Sequence, residues 1–302
     1  MIIPAFNEAR HIGRCLDSIF AQRFPREQYE VIVVDNGSTD ATPDIAAGYP
    51  VTLLSNKEKT VSGLRNLGAT HAKGSILAFV DADCTVAPDW LESASVYIDQ
   101  QDVAMWGAPP LPPENPTWVQ KTWSLVRLKD NVKKEVDWLG TINIFLRKKL
   151  FWSIGGFNES LETCEDVDLC YRISKTGKII SDNRLKIIHL GEDVSLTVFF
   201  KKEMWRGKSN YQGLFSHGLS MKEIPSLAIP IYFGVLLPLV YILAILFSEP
   251  VILAGLLGLW IMPFAAVFSK LRMSGKTLGD CARLLVLLQV YFVARTLAVL
   301  KS

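Results

Sequence analysis

Four short apolar runs alternate with segments of helical periodicity, and that alternation restricts the sheet the chain can build. Residues 1–3, 31–34, 51–54 and 76–80 read as strands. Between them, Ile12, Cys15, Leu16, Ile19 and Phe20 keep helical spacing, with Asn7 as the expected cap. A second helix follows the turn at 35–40, with Ser38 or Thr39 as its cap, and a third covers 62–72 and ends at Gly74. This βαβαβαβ order predicts an α/β, Rossmann-like fold: a mostly parallel sheet with helices on both faces. In such sheets ligands bind beyond the carboxyl ends of the strands. Three polar loops land there, at residues 4–8, 35–40 and 81–85.

The next segments are less regular. Residue 89 opens a helix to about 98, and a proline-rich loop follows Gly107. Residues 117–135, with Trp118, Trp123 and many bases, read as helix, and 138–147 as strand. Glu165, Asp166 and Asp168 open another helix, where the dipole favours negative charge.

Carboxylates concentrate at one strand mouth. Asp81 and Asp83 are separated by Ala82, and an extended strand end turns both to one side. Oxygen donors without a thiolate cluster suit Mg²⁺ or Mn²⁺, with His189 as a third candidate ligand. A capping aspartate in a turn accounts for the pattern equally well. Asp-x-Asp-x-Thr is also the shape of a haloacid-dehalogenase-like phosphohydrolase motif, with Asp81 as nucleophile. That reading leaves the other two loops without a role. Glu165 and Asp166 fit either a helix cap or a general base. Arg65 and Asn66 fit a surface salt bridge or, facing the strand ends, neutralisation of a diphosphate.

The C-terminal part follows different rules. Residues 225–248 and 250–269 contain no charge, and each run is long enough for a membrane-crossing helix. The expected spans are about 226–247 and 250–269, with 284–300 a third span or an interfacial helix carrying Arg295. Lys201, Lys202, Arg206, Lys208 and Lys222 precede the first run, and Lys270, Arg272, Lys276 and Arg283 follow the second. The positive-inside rule then keeps residues 1–222 cytoplasmic, at a cell inner membrane, with 223–302 as the membrane region. The chain has 32 basic and 30 acidic residues, a balance that gives no field for nucleic acid. Its five cysteines include no CxxC pair, so neither a disulfide framework nor a zinc site is expected.

The segments IIPAFNE (2–8), VIVVDNGSTD (31–40), GLRNLGATHAKG (63–74), ILAFVDADC (76–84), GGFNE (155–159) and CEDVDLCYR (164–172) together resemble family 2 glycosyltransferases of GT-A fold. The resemblance covers about residues 1–215. It implies that Pro4, Ala5, Asn7 and Glu8 line a nucleotide pocket, that Asp35 reads the base and that Arg65 sits beside the diphosphate. It implies that Asp83 binds the metal, with Asp81 nearer the sugar or ribose, and that Asp166 is the general base with Glu165 beside it. The implied reaction is inverting transfer of a sugar from a nucleotide-sugar donor, UDP-, GDP- or dTDP-linked; the apolar C-terminal runs suggest a lipid-linked or saccharide acceptor at the membrane. Trp205-Arg206-Gly207-Lys208 partly resembles a late family element near the diphosphate, but lacks the QxxRW pattern of processive enzymes; a single sugar per binding event is expected. Asn36 stands where the family often has Asp, and the first strand is shorter than usual, which is expected to loosen the nucleotide pocket. A non-enzyme alternative is a catalytically inactive sugar-nucleotide-binding subunit.

Overall fold

The computed structural model describes residues 1–57, 60–127, 133–208, 228, 230–247, 250 and 277–301. The chain divides into two compact units, Met1–Glu114 with Arg127–Glu192, and Asn115–Val126 with Asp193–Ser302.

The first unit is built on an eight-stranded sheet. Its strands are β1 (Ile2–Ala5), β2 (Ile32–Asp35), β3 (Thr52–Ser55), β4 (Ile76–Val80), β6 (Val103–Gly107), β7 (Lys133–Glu135), β8 (Asn143–Arg147) and β9 (Lys178–Asp182), in the order β3-β2-β1-β4-β8-β6-β9-β7. The first four run parallel, with Ile2 opposite Ile32 and Ala5 opposite Asp35. β8 is antiparallel to both β4 and β6. A separate ribbon joins β5 (Cys84–Val86) to β10 (Ile187–His189).

Alternation along the strands supplies two cores. Ile3, Val33, Ala78 and Val80 pack against Ile12, Leu16 and Ile19 of α1 (Ile12–Phe20) and Trp90 of α4 (Trp90–Ser95). Ile2, Ile32, Val34, Leu77 and Phe79 pack on the opposite face against Leu64 and Ala69 of α3 (Val61–His71), Phe151 of α6 (Lys148–Ser153) and Leu169 of α7 (Glu165–Ile173). Burial on both faces is why these strands read as continuous apolar runs. The short α2 (Thr42–Ala47) completes the βα alternation.

Four local expectations are corrected. Asn7 does not cap α1; His11 occupies that position without a side-chain cap bond. Asn7 has φ 55°, a left-handed conformation that asparagine tolerates, and its side chain turns to the neighbouring loop. Neither Ser38 nor Thr39 caps α2, which starts after Ala41, because Ser38 is bonded to Asp35. The helix expected over 117–135 is α5 (Trp118–Arg127), and Lys133–Glu135 is an edge strand antiparallel to β9. A charged edge strand has no apolar alternation to announce it. The strand expected at 138–147 is confined to β8, since Asn143 N–H closes a turn on Gly140 C=O at 3.4 Å.

The second unit contains α5, α8 (Leu196–Gly207), a π-helical turn at Tyr232–Leu236 running into α9 (Leu237–Leu246), and α10 (Leu278–Lys301). Residues 251–269 of the second apolar run lie outside the described residues. By length and composition, Leu278–Ala298 is one helix able to cross a membrane, and it includes most of the third apolar stretch.

Candidate active site

The carboxyl ends of β1 and β2 carry two loops laced together by main-chain donors. Asn7 N–H donates to Ser38 Oγ at 2.9 Å, Glu8 N–H to Thr42 Oγ1 at 2.7 Å, and Ala9 N–H to Asp40 Oδ2 at 3.1 Å. In return Asn7 Oδ1 accepts from Thr39 N–H at 2.8 Å. Pro4 and Ala5 are buried at the end of β1, Asn7 is exposed, and Glu8 bonds His11 Nδ1 at 2.9 Å. Asp35 is buried: its Oδ2 accepts from Gly37 and Ser38 N–H at 2.9 and 3.0 Å, and its Oδ1 from the Ser38 hydroxyl. Its carboxylate thus organises its own turn.

At the end of β4 the two aspartates part company. Cys84 N–H closes a turn onto Asp81 C=O at 3.1 Å, so the strand end is not extended and the side chains meet different partners. Asp81 Oδ1 accepts from Arg65 at 2.8 Å. The same guanidinium donates from its other terminal nitrogen to Glu165 Oε1, also at 2.8 Å. Arg65 is only 2% exposed, and its guanidinium carbon lies 5.6 Å from the Phe157 ring centroid. Burial alone would lower its pKa, but Asp81 and Glu165 outweigh that and raise it further. One buried cation from α3 therefore ties the β4 mouth to the N-terminus of α7. Its neighbour Asn66 fixes the Gly155-Gly156-Phe157 loop: it accepts from Phe157 N–H and donates to Phe157 C=O, both at 2.9 Å.

Asp83 faces the other way. Its Oδ2 lies 3.0 Å from His189 Nε2, and His189 Nδ1 lies 3.0 Å from Glu192 Oε1. The β5–β10 ribbon sets this up by placing His189 opposite Cys84, while Leu190 N–H bonds Asp83 C=O at 2.8 Å. Burial pushes the His189 imidazole down, but hydrogen bonds to Asp83 and Glu192 win and raise its pKa to about 9. Asp83, Cys84 and His189 present ligand atoms within 4.8 Å of one another. The Cys84 thiol is held well above its ordinary pKa, first by burial and then by Asp83, so it remains a protonated neighbour. Once an incoming ion displaces the His189 proton, the donors left, a carboxylate and an imidazole, suit a divalent cation. The surroundings fit a cation too: among the described residues, Asp81 and Glu165 pair with Arg65, and Asp83 and Glu192 pair with His189. A Cβ at Gly191 would reach 1.9 Å from Asp83 Oδ2, so only glycine leaves that carboxylate its place.

The acidic start of α7 also splits by role. Asp168 is buried and paired with Arg172, whose guanidinium also donates to the carbonyls of Ile154 and Gly156 at 2.7 Å. Asp166 is partly buried beside Glu165, and its Oδ1 accepts from Val167 N–H at 2.8 Å. Burial, then the Glu165 charge, raises its pKa to about 7, against smaller opposing pulls from the Val167 N–H bond, Arg65 and a Trp138 hydrogen bond. The structure thus gathers Arg65, Asp81, Glu165 and Asp166 in one group, with Asp83 and His189 on the other side of the β4 turn. Glu192 and Gly191 went unnoticed in the sequence. Their only signal is nearness to His189, and it acquires meaning once β10 is paired with β5.

A mostly parallel sheet with carboxylates at the mouths of its strands is the architecture of a GT-A glycosyltransferase. Solved structures share the fold at 20% identity or below. One is the mannosyltransferase PcManGT from Pyrobaculum calidifontis in complex with GDP-Man and Mn²⁺ (TM-score 0.64, 20% identity, 99% of this chain and 85% of that one). Another is S. aureus TarS 1-349 in complex with UDP-GlcNAc (TM-score 0.52, 19% identity, 100% and 91%). Among curated proteins, glycosyltransferase AglE of Haloferax volcanii is 28% identical over 246 residues, 78% of this chain and 80% of AglE. The family model for glycosyl transferase family 2 matches residues 1–155, just over half of the chain. The chain belongs to that family. Membership retires the phosphohydrolase reading of Asp-x-Asp-x-Thr.

Proposed function

We propose that the chain transfers one sugar per encounter, with inversion, from a nucleotide-sugar donor to a hydroxyl of a membrane-associated saccharide or lipid acceptor. The catalytic unit works on the cytoplasmic face of the membrane. PcManGT and TarS carry GDP- and UDP-linked sugars in their crystal structures, and a donor of that class is the reading here. Asp83 and His189 would hold Mn²⁺ or Mg²⁺, with the nitrogen donor favouring Mn²⁺; Asp81 stands one turn away, on Arg65. A divalent ion bound there would supply positive charge to a diphosphate leaving group.

The protein's own groups divide the remaining work. Arg65 holds Asp81 and Glu165 at fixed positions on two elements, which pre-organises the floor of the site. Burial, and then the Glu165 charge, raise the proton affinity of Asp166, and Asp166 takes the proton from the acceptor hydroxyl as that oxygen attacks the anomeric carbon. The loops at 4–8 and 35–40, locked to each other through Asn7, Ser38 and Thr39, would seat the nucleotide, with Asp35 at the base. The observation that carries this reading is the Arg65 bridge, which sets Asp166 beside a fixed carboxylate at the strand mouth. Converting Asp166 to Asn tests it: donor binding persists while transfer falls by a factor of about 10² or more. Unchanged transfer removes Asp166 as the base, and wild-type chain without transfer to any acceptor favours the inactive binding subunit.

A further inference from the structure

The apolar helix α10 is long enough to span a bilayer, yet its neighbours contradict a spanning position. Its uncharged stretch between Arg283 and Arg295 is eleven residues, about 16 Å of helix against a hydrocarbon core of about 30 Å. From Leu287 onward it runs parallel to α8. Leu287 packs with Phe199 and Val119, and Arg295 Nε donates to the buried Glu203 Oε2 at 2.9 Å. A Cβ added at Gly207 would come within 2.5 Å of Ala298 Cβ, so the two backbones nearly touch there. α8 is not a helix for hydrocarbon: it bears Lys201, Lys202, Glu203 and Arg206, and Lys208 follows at its C-cap. Lys202 and Arg206 turn to Asp193, each at 3.2 Å. Lys201 and Lys208 are exposed, and Trp205 between them is 49% exposed; spacings of four and three residues put all three on one face. An unpaired lysine at the bilayer centre costs about 2.5 kcal/mol or more.

The entrance of the first apolar run crosses the same helix. The Thr296 hydroxyl donates to Pro230 C=O at 2.6 Å, and the Phe292 ring stacks on Phe233 with centroids 5.0 Å apart. Beyond Leu237, α9 leaves most of its side chains uncovered, Leu246 at 71% and Phe247 at 73%. α10 thus touches both a charged helix and the start of an apolar one.

We infer that α10 is an interfacial helix lying beside α8, and that the Lys201–Trp205–Lys208 face of α8 rests on the anionic lipid headgroups of one leaflet. The basic charge of that face, with a tryptophan between the lysines, matches an anionic lipid surface. The inference rests on the proposed membrane association but is separable from it. The test places protease-cleavable epitope tags in the basic segment 270–276 and after Ser302 of the full chain, in sealed inverted membrane vesicles. Cleavage of both tags on the same face is expected. Opposite faces overturn the inference while leaving membrane association intact, and a chain stripped from the vesicles by alkaline carbonate overturns both. Nitroxide labels at V286C and V293C, two exposed positions on α10, give a second reading in nanodiscs. Equal shallow depths are expected, whereas depths differing by about 10 Å, seven residues of helix, indicate a span. Adding phosphatidylglycerol should restrict label mobility in the wild-type background, and K201E/K208E should abolish that effect. No response to phosphatidylglycerol overturns the headgroup contact.

Discussion

Gly191 lies so close to Asp83 that a methyl group on its Cα would sit 1.9 Å from the carboxylate Oδ2. The clash is with the functional end of the side chain, on the same oxygen that meets His189 Nε2. Gly191→Ala must therefore push the Asp83 carboxylate off His189 or shift the β10 turn. Mn²⁺ affinity measured by electron paramagnetic resonance should fall about tenfold or more, with far-UV circular dichroism unchanged. Native-like Mn²⁺ affinity in a folded variant would show that Asp83 is not held for a metal.

Glu192 is buried and bonds His189 Nδ1, which leaves Nε2 directed at Asp83. Outer carboxylates of this kind orient a histidine ligand and raise its basicity. Glu192→Gln keeps the shape and removes the charge. The expected outcome is about 10- to 100-fold weaker Mn²⁺ binding, with kcat at saturating metal much less affected. Equal losses in kcat at every metal concentration would point to a general structural defect instead.

Arg65 is the stability centre of the site, since two carboxylates from different elements depend on it. Arg65→Met leaves Asp81 and Glu165 facing each other without a cation. Urea denaturation should show a loss of about 3 kcal/mol, the lower end for breaking a buried pair because Asp81 is partly solvated. Arg65→Lys should recover little, because an ammonium cannot fork between both partners. Full recovery by lysine would mean that charge alone matters at this position.

Asp166 gives the pH dependence. With its pKa raised to about 7, the basic form is scarce under acidic conditions. The transfer kcat/KM should rise with pH and level off above about 7, and Asp166→Asn should lose that limb with its activity. Stability runs the other way. Between about pH 4 and 7 the folded carboxyl keeps a proton that the unfolded chain has released, so stability falls as pH rises through that window. Thermal melts of Asp166→Asn across the window should lose less stability, or gain more, per pH unit than wild type; an identical slope contradicts the raised pKa.

Much of the fold was legible because both faces of the central strands are buried. Ile2, Val34 and Phe79 point to one core and Ile3, Val33 and Val80 to the other, so each strand reads as an unbroken apolar run. The charged strand Lys133–Glu135 was not legible, because an edge strand is defined by its hydrogen bonds to β9 and not by apolar pattern. The carboxylates of the site were legible by type and motif. Their partners were not: the turn at 81–84 sends Asp81 to Arg65 and Asp83 to His189, two residues distant in sequence. Glu192 shows the same limit, since its role depends on a ribbon pairing that local spacing does not encode.

In the proposed reaction Asp83 and Asp166 act in different capacities, Asp83 binding the metal-borne donor and Asp166 activating the acceptor. The most direct measurement is release of nucleoside diphosphate from UDP-, GDP- and dTDP-sugars by the full chain with Mn²⁺, alongside donor binding, for wild type, Asp83→Ala and Asp166→Asn. Wild type should show Mn²⁺-dependent release. Asp83→Ala should lose Mn²⁺-dependent donor binding, and Asp166→Asn should bind donor normally yet fail to transfer. Transfer by Asp166→Asn at the wild-type rate, or metal dependence unchanged in Asp83→Ala, would contradict those roles.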